Sequence, residues 1–192
     1  ALLVADATGH GIPAALSTAL LKFAFSQFQH RTVDATGIVE GMNRVLYRGL
    51  PADTFVACAV TVMDPRSAEC RIVNAGLPHP YHIQPSKATA RPVVTEGFML
   101  GVVENDMYEP AKEVTVPLRN GDTLLFYTDG LSEAENSDGE QFDEKKLGQI
   151  LAAQTGEPCE KLFNALMHAS KEFSRPDHNW DDVTIVGVSL NC

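Results

Sequence analysis

Aspartates stand at three places where apolar, strand-like runs begin or end, and carboxylates so placed can bind divalent metal ions. Asp6 and Asp129 each end such a run. Asp181 and Asp182 begin the last one. The end of a strand lies beside the start of its antiparallel neighbour. If the last strand runs antiparallel to the other two, all three sites therefore fall at one end of a sheet.

Such a cluster of carboxylates has a chemical requirement. Like charges raise one another's pKa unless a cation joins them, and oxygen ligands favour a hard divalent ion such as Mg²⁺ or Mn²⁺. Spacing alone leaves a plainer interpretation open. In that interpretation Asp129-Gly130 is a turn, and Asp181 and Asp182 are polar residues at the start of a strand.

A glycine-rich segment follows Asp6 and adds a possible anion site. Its glycines, Gly9 and Gly11, let a backbone approach a ligand closely, and the helix predicted from Pro13 directs its first amide groups toward an anion. Between the glycines, His10 could protonate a leaving alkoxide, or it could hold the turn by hydrogen bonds. Carboxylates for cations beside amides for a phosphate indicate phosphoryl transfer.

Apolar periodicity predicts the elements that position these residues. Helices are predicted over 13–28, buried on a wide face, and over 35–48, 143–154 and 158–173. Strands are predicted over 1–5, 55–63, 70–73, 123–127 and 183–190, of which the second and third form a hairpin. Prolines between 76 and 120 limit strands there to short or edge positions. This order does not alternate as a doubly wound sheet does, so an α+β layered sandwich is expected.

Length and composition limit the classes of protein to which the chain can belong. Its 192 residues fit a single domain, and 44% hydrophobic with 21% charged residues is typical of a globular protein. The net charge of −10 argues against a broad basic surface for nucleic acid and suits a cation or a basic partner. No apolar run approaches the ~20 residues that a membrane helix needs.

Two further observations concern the setting of the protein. Its four cysteines, Cys58, Cys70, Cys159 and Cys192, show no CxxC spacing and no histidine at ligand spacing, which predicts reduced thiols in a cytoplasmic protein. The chain opens inside an apolar run with no methionine and no basic segment. This opening predicts a piece excised from a longer protein.

Three segments resemble, in order and spacing, the signature blocks of a known family. They are Asp6-Ala7-Thr8-Gly9-His10-Gly11-Ile12-Pro13-Ala14-Ala15, Phe126-Tyr127-Thr128-Asp129-Gly130-Leu131-Ser132-Glu133-Ala134 and Asp181-Asp182-Val183-Thr184. The weaker landmarks of the family are matched by Asn74-Ala75-Gly76, Leu100-Gly101 and Gly121-Asp122. On these residues the chain is similar to the SpoIIE-like serine/threonine phosphatases, a bacterial branch of the metal-dependent type-2C phosphatases.

This resemblance implies a fold and a metal centre. The fold is an α-β-β-α sandwich of two antiparallel sheets flanked by helices, with a site for two Mn²⁺ or Mg²⁺ ions at one edge. The implied ligands are the carboxylate of Asp6, the carbonyl of Ala7, and the carboxylates of Asp129 and Asp181, with Asp182 as the rival of Asp181. The ions would activate a water that attacks phosphorus in line, so that serine or threonine leaves without a phosphoenzyme.

The resemblance also implies a function in bacterial signalling. The chain would be a phosphoprotein phosphatase that acts on a STAS-type anti-anti-sigma regulator and is controlled by an upstream receiver or sensor domain, although fold alone does not fix a substrate. An alternative is a phosphatase-like domain that binds a partner with little or no turnover. A phosphatase of the haloacid dehalogenase type is disfavoured because Tyr127 stands where its nucleophilic aspartate would be.

Two departures from the family pattern bear on the site. The family has a further metal-binding aspartate on a strand upstream of the first block, and this sequence begins after that position. A single domain truncated in this way would bind metal weakly or turn over slowly. The family usually places histidine directly after the glycine that Gly76 matches, whereas here Leu77 stands there and His79 follows. This shift leaves the loop histidine without an implied role.

Overall fold

The computed structural model describes residues 1–30, 34–175, 177 and 181–190. The chain divides into two units, each built on one four-stranded antiparallel sheet. Unit 1 comprises Ala1–Leu77 and Thr95–Pro117, and unit 2 comprises Pro78–Val94 and Leu118–Cys192. The predicted α+β class, with two antiparallel sheets flanked by helices, is confirmed.

Unit 1 contains a sheet of strand order β1-β2-β3-β6 and two helices. Its elements are β1 (Leu2–Ala7), α1 (Gly11–Phe28), α2 (Ala35–Gly49), β2 (Val56–Asp64), β3 (Glu69–Ala75) and β6 (Val114–Pro117). The apolar stripe of α2 is buried in the core because Ile38, Met42 and Leu46 recur at helical spacing. Asp34 caps this helix by accepting a hydrogen bond from the Gly37 amide at 3.0 Å.

Unit 2 contains a sheet of strand order β5-β4-β7-β8 and three helices. Its elements are β4 (Tyr81–Gln84), β5 (Thr89–Pro92), β7 (Thr123–Tyr127), α3 (Asp129–Ser132), α4 (Glu144–Ala153), α5 (Cys159–Phe173) and β8 (Ile185–Ser189). Alternate residues of a strand share a face. Tyr81 and Ile83 of β4 and Leu125 and Tyr127 of β7 therefore form one apolar face, which packs with the leucines of α4 and α5.

The strand predictions agree with the structure in their main features. β2 and β3 form the predicted hairpin, with Val60 opposite Val73. The three strands of the proline-rich region, β4, β5 and β6, have only four residues each, and β5 and β6 lie at sheet edges. The four-residue helix α3, directly after β7, has too few residues to show a period and was not predicted.

Helix α1 differs from the prediction of a wide buried face, which is wrong. Ile12, Leu16 and Phe23 are 78%, 66% and 56% exposed, and the buried residues of this helix are Ser17, Leu21 and Ala24. The helix is apolar on nearly all sides, so its sequence pattern could not show which side faces the core. Within the described residues, no helix combines the length and the apolar character that crossing a membrane requires.

Asn43, buried in α2, holds the loop 101–105 against that helix. Its Nδ2 donates to the Val103 carbonyl at 3.1 Å and to Asn105 Oδ1 at 3.0 Å, and its Oδ1 accepts from the Gly101 amide at 2.9 Å. The substitution Asn43→Ala leaves several buried groups without partners. We therefore expect it to lower the free energy of unfolding by about 2–3 kcal/mol, measured by urea denaturation.

A matched control is Asn164→Ala, because Asn164 is exposed on α5. This control should change the free energy of unfolding by less than about 0.5 kcal/mol. Equal effects of the two substitutions would contradict the role assigned to the Asn43 amide.

Candidate functional site

One candidate region lies in unit 2, beyond one end of the β7–β8 pair. Tyr127 pairs with Ile185 in an antiparallel register. Asp129 follows β7, and Asp181 and Asp182 precede β8, so all three aspartates lie at the same end of this pair. The structure thus brings together two of the three acidic sites that the sequence indicates.

Thr128 ties the chain before Asp129 to the chain that follows Asp182. The amide of Thr128 donates to the Thr184 carbonyl at 3.1 Å, and the Thr184 amide donates to Thr128 Oγ1 at 2.9 Å. The hydroxyl of Thr128 donates in turn to the Asp182 carbonyl at 3.1 Å. Three hydrogen bonds therefore fix the distance between the two acidic segments.

Gly130 permits a close backbone contact at the same place. A Cβ on this residue would lie 2.6 Å from the carbonyl oxygen of Asp182, well inside van der Waals contact. The requirement for glycine here comes from this close approach. The Asp129-Gly130 pair is therefore more than a plain turn, because its geometry depends on the segment 181–184.

The pKa of Glu133, at the end of α3, is affected by the negative charge of this region. Partial burial of its carboxyl raises its pKa above the ordinary value, and the charges of Asp129, Asp181 and Glu135 raise that pKa further. The charges of Asp129 and Asp181 thus both raise the pKa of the same side chain, Glu133. Glu133 was named only as a member of the second signature block, although its position one helical turn after Asp129 was a signal for a role beside that carboxylate.

The donor atoms of this region fit a hard divalent cation. The carboxylates of Asp129 and Asp181 and the carbonyl of Asp182 are oxygen donors of the kind that Mg²⁺ and Mn²⁺ prefer. Burial is the main cause of the raised pKa of Glu133, and the charges of Asp129 and Asp181, which raise it further, are charges that a cation would relieve. In the described part of the chain, no three side chains of His, Cys, Asp or Glu converge into a preformed metal site. The residues present therefore supply part of a coordination sphere.

A separate candidate region lies in unit 1, at the end of β1. Asp6 and Ala7 are the last two residues of this strand, and they pair with Ala57 and Val56 of β2. Burial and pairing of β1 thus fix the backbone that carries both predicted ligands. The carboxylate of Asp6 and the carbonyl of Ala7 are again hard oxygen donors.

The expectation that all three acidic sites share one sheet is wrong. Asp6 belongs to the sheet of unit 1, whereas Asp129 and Asp181 stand beside the sheet of unit 2. Apolar alternation identifies strands but carries no information about which strands pair. The antiparallel relation of β7 and β8, on which the expectation also depended, is confirmed.

The glycine turn after β1 is held at its start and has a special backbone at its glycines. Thr8 donates to the Phe55 carbonyl through its amide at 3.1 Å and its hydroxyl at 3.0 Å, and Thr8 Oγ1 accepts from the Phe55 amide at 3.0 Å. Gly9 and Gly11 have φ angles of +91° and +74°, which favour glycine. The turn leads directly into the 18-residue helix α1.

His10 occupies the N-cap position of α1 and is exposed. Its side chain makes no hydrogen bond that caps the helix, so no such bond supports the alternative in which His10 holds the turn. An exposed imidazole beside a helix N-terminus is accessible to a bound substrate, as proton donation requires.

Comparison with known proteins shows what the chain is similar to. The profile of the family described as Stage II sporulation protein E (SpoIIE) matches residues 1–191. The phosphoserine phosphatase RsbU of Bacillus subtilis (strain 168) is 22% identical over 169 residues, which cover 86% of this chain and 50% of RsbU. The chain thus spans about half the length of this curated relative.

Solved structures share the fold of the chain. The SiaA-PP2C domain of Pseudomonas aeruginosa matches with a TM-score of 0.84 at 21% identity, over 98% of this chain and 75% of that chain. The catalytic domain of the serine/threonine phosphatase PstP, solved with 2 manganese ions, matches with a TM-score of 0.69 at 13% identity, over 99% of this chain and 87% of that chain. These likenesses show a PP2C-type fold.

Proposed function

The chain belongs to the SpoIIE family, and on that premise we propose that it is a metal-dependent phosphatase of phosphoserine or phosphothreonine proteins in bacterial signalling. One observation carries the proposal. Asp129 and Asp181, far apart in the sequence, stand at the same end of the β7–β8 pair, and both raise the pKa of Glu133. Carboxylates assembled in this way favour a cation, and a bound divalent cation can activate water for attack on a phosphate ester.

The metal ligands in this proposal are oxygen atoms at four positions. They are the carboxylates of Asp6, Asp129 and Asp181 and the carbonyl of Ala7. Two Mn²⁺ or Mg²⁺ ions are expected in the complete domain, as in the PstP structure with 2 manganese ions. When bound, such ions supply Lewis-acid activation of water and neutralise the charge of the phosphoryl oxygens.

The residues of this chain then orient the ester and move a proton. The backbone amides at the start of α1, beyond Gly9, favour the negative charge of the phosphate. A water oxygen forms a bond to phosphorus while the bond from phosphorus to the serine or threonine oxygen breaks. His10 donates its proton to that leaving oxygen. The products are inorganic phosphate and the free hydroxyl, and no phosphoenzyme forms.

The proposal extends to the cellular role of the protein. The substrate is a phosphorylated STAS-type anti-anti-sigma regulator, and a receiver or sensor domain upstream controls the activity. The likeness to RsbU, a phosphoserine phosphatase of which this chain covers 50%, supports the phosphoserine substrate of this proposal. Cys58, Cys70 and Cys159 are free thiols, which supports a cytoplasmic location.

The direct test measures phosphate release from a phosphoserine protein in the presence of Mn²⁺ and after its removal with EDTA. We expect release with Mn²⁺, loss of release in EDTA, and recovery when Mn²⁺ or Mg²⁺ is added back. The dephosphorylated protein should appear in the same amount as phosphate, as mass spectrometry can show. Binding of the phosphoprotein without any release would instead favour the alternative of a partner-binding module.

A second test addresses the proton transferred by His10. Serine is a poor leaving group and needs a proton, whereas p-nitrophenolate leaves readily without one. We therefore expect His10→Asn to lower kcat by about 10²-fold for a phosphoserine peptide and by less than about threefold for p-nitrophenyl phosphate. Equal losses on the two substrates would contradict a role in proton donation.

A further inference from the structure

Unit 1 has a polar pocket that is lined by none of the candidate site residues. It has a volume of about 250 Å³ and opens between the second half of α2 and the loop that follows Val103. Its lining residues are Arg44, Tyr47, Arg48, Glu104, Asn105 and Asp106. A pocket of this size accommodates a side chain or a short peptide segment better than a large cofactor.

One wall of this pocket, at Asn105, is held in place by hydrogen bonds. Asn105 Oδ1 accepts from Asn43 Nδ2 at 3.0 Å, and Asn105 Nδ2 donates to the Glu40 carbonyl at 3.2 Å. The turn after Asn105 is closed by the Tyr108 amide, which donates to the Asn105 carbonyl at 3.2 Å. The backbone of this loop is thus held at Asn105, which lowers the free-energy cost of ordering the loop when a ligand binds.

The two arginines of the pocket are available to a ligand. Arg44 and Arg48 are one turn apart on the same face of α2, and both are exposed. Among the residues that the structure describes, neither guanidinium has a carboxylate within 4.0 Å, even though Glu104 and Asp106 line the same pocket. Two unpaired guanidinium groups at this spacing suit a carboxylate or a phosphate.

Backbone pairing places the start of the segment that leads to the pocket two strand positions from the end of β1. Val56 pairs with Ala7, and it exchanges two hydrogen bonds with Leu100, at 3.0 and 2.9 Å. Neighbouring strands are about 4.8 Å apart, so the backbone at Leu100 lies roughly 10 Å from that at Ala7. The segment that leads into the pocket thus starts close to the ligands proposed in unit 1.

The same segment exposes large apolar side chains. Phe98 is 69% exposed and Met107 is 71% exposed. The Tyr108 hydroxyl donates to the Phe98 carbonyl at 3.1 Å, which fixes the backbone beneath the Phe98 side chain. Aromatic, methionine and arginine side chains together are the composition of a protein-binding surface.

We propose that this surface, formed by the pocket with Phe98 and Met107, docks an acidic segment of the phosphoprotein substrate. The proposal rests on the proposed function in that it calls the partner a substrate, but docking itself requires no catalysis. An aspartate or glutamate of the partner binds between Arg44 and Arg48, and its apolar neighbours contact Tyr47 and Phe98. Glu104 and Asp106 repel a phosphate dianion more strongly than a single carboxylate, so the pocket favours a peptide carboxylate over free phosphate.

The test uses two phosphoserine peptides, one flanked by glutamate and leucine and the other by lysine and leucine. Binding is measured by fluorescence polarisation in EDTA, where no hydrolysis occurs. We expect the wild-type protein to bind the acidic peptide about tenfold more tightly, and Arg44→Glu to abolish that preference. Inorganic phosphate should not displace the acidic peptide.

Arg66→Glu is the matched control, since Arg66 is exposed in the turn between β2 and β3 and its substitution changes the net charge equally. It should retain the preference for the acidic peptide. Equal affinity of the wild-type protein for both peptides, or a preference that survives in Arg44→Glu, overturns the docking proposal. Hydrolysis with Mn²⁺ is measured separately. A preference in binding without hydrolysis supports docking while it refutes the proposed function.

Discussion

The substitution Asp129→Asn, made in the full-length protein, is expected to lower Mn²⁺-stimulated hydrolysis of a phosphoserine protein by about 10²–10³-fold. The amide keeps the size of the side chain but removes the negative charge that binds a cation. Asp129 follows β7, and the N-cap of α3 is Thr128, so the fold does not need the Asp129 side chain as a cap. The variant should therefore fold normally, as thermal unfolding monitored by circular dichroism can verify.

Asp182→Asn is the matched control for this prediction. Asp182 takes part in the site through its backbone carbonyl, which accepts from Thr128 Oγ1, and an asparagine retains that carbonyl. We expect Asp181→Asn to behave like Asp129→Asn and Asp182→Asn to retain activity within about fivefold. Equal rates for the wild-type protein and Asp129→Asn would end the interpretation of the chain as an enzyme.

The effect of Asp129→Asn on the charge of the candidate site can also be measured without an enzyme assay. Because the charge of Asp129 contributes to the raised pKa of Glu133, its removal should move that pKa toward the ordinary value of a glutamate. Carboxyl chemical shifts followed by NMR during a pH titration would detect the change. The Asp182→Asn variant should leave the Glu133 pKa close to that of the wild-type protein.

The substitution Gly130→Ala is expected to affect both stability and activity. Its Cβ would meet the Asp182 carbonyl oxygen at 2.6 Å, so α3 or the segment 181–184 must move. Overpacking of this kind lowers the free energy of unfolding by about 1–3 kcal/mol. Since Asp129 and Asp181 stand on the two displaced pieces, hydrolysis should fall by about 10–10²-fold.

Gly139→Ala separates a loss of stability from a displacement of the site. Gly139 has a φ of +77° in an exposed loop, and a Cβ there would meet no atom within 4 Å. Backbone strain should lower stability by about 1 kcal/mol, while hydrolysis at saturating Mn²⁺ stays unchanged. Urea denaturation and a Mn²⁺ titration of activity would compare the two variants. A Gly130→Ala protein with wild-type metal dependence would show that the close contact is irrelevant to the site.

Local pattern predicted most helices and strands but not the surface of α1. The stripe Ile38, Met42 and Leu46 faces the core as helical spacing requires, and the β2–β3 hairpin forms where turn residues separate two apolar runs. In α1, by contrast, apolar residues occur on several sides, and only packing decides that Leu21 is buried while Leu16 is exposed.

The candidate site was predictable in its residues but not in its assembly. Asp129 and Asp181 were identified from their positions beside strands, and the β7–β8 pairing brings them to one end. The contacts that set their spacing could not be read from the sequence. The hydroxyl of Thr128 and the missing Cβ of Gly130 act only once the segment 181–184 has reached them. The sheet to which Asp6 belongs could not be predicted either, because apolar periodicity identifies a strand but not the strands with which it pairs.

The order of strands in unit 2 has a consequence for the making of the protein. β7 takes its partner β8 from a part of the chain that the ribosome adds only after α4 and α5. A nascent polypeptide that has emerged as far as α5 already carries Asp129 but still lacks Asp181 and the strand β8 that pairs with β7. This part of the candidate site can therefore form only after translation has passed β8.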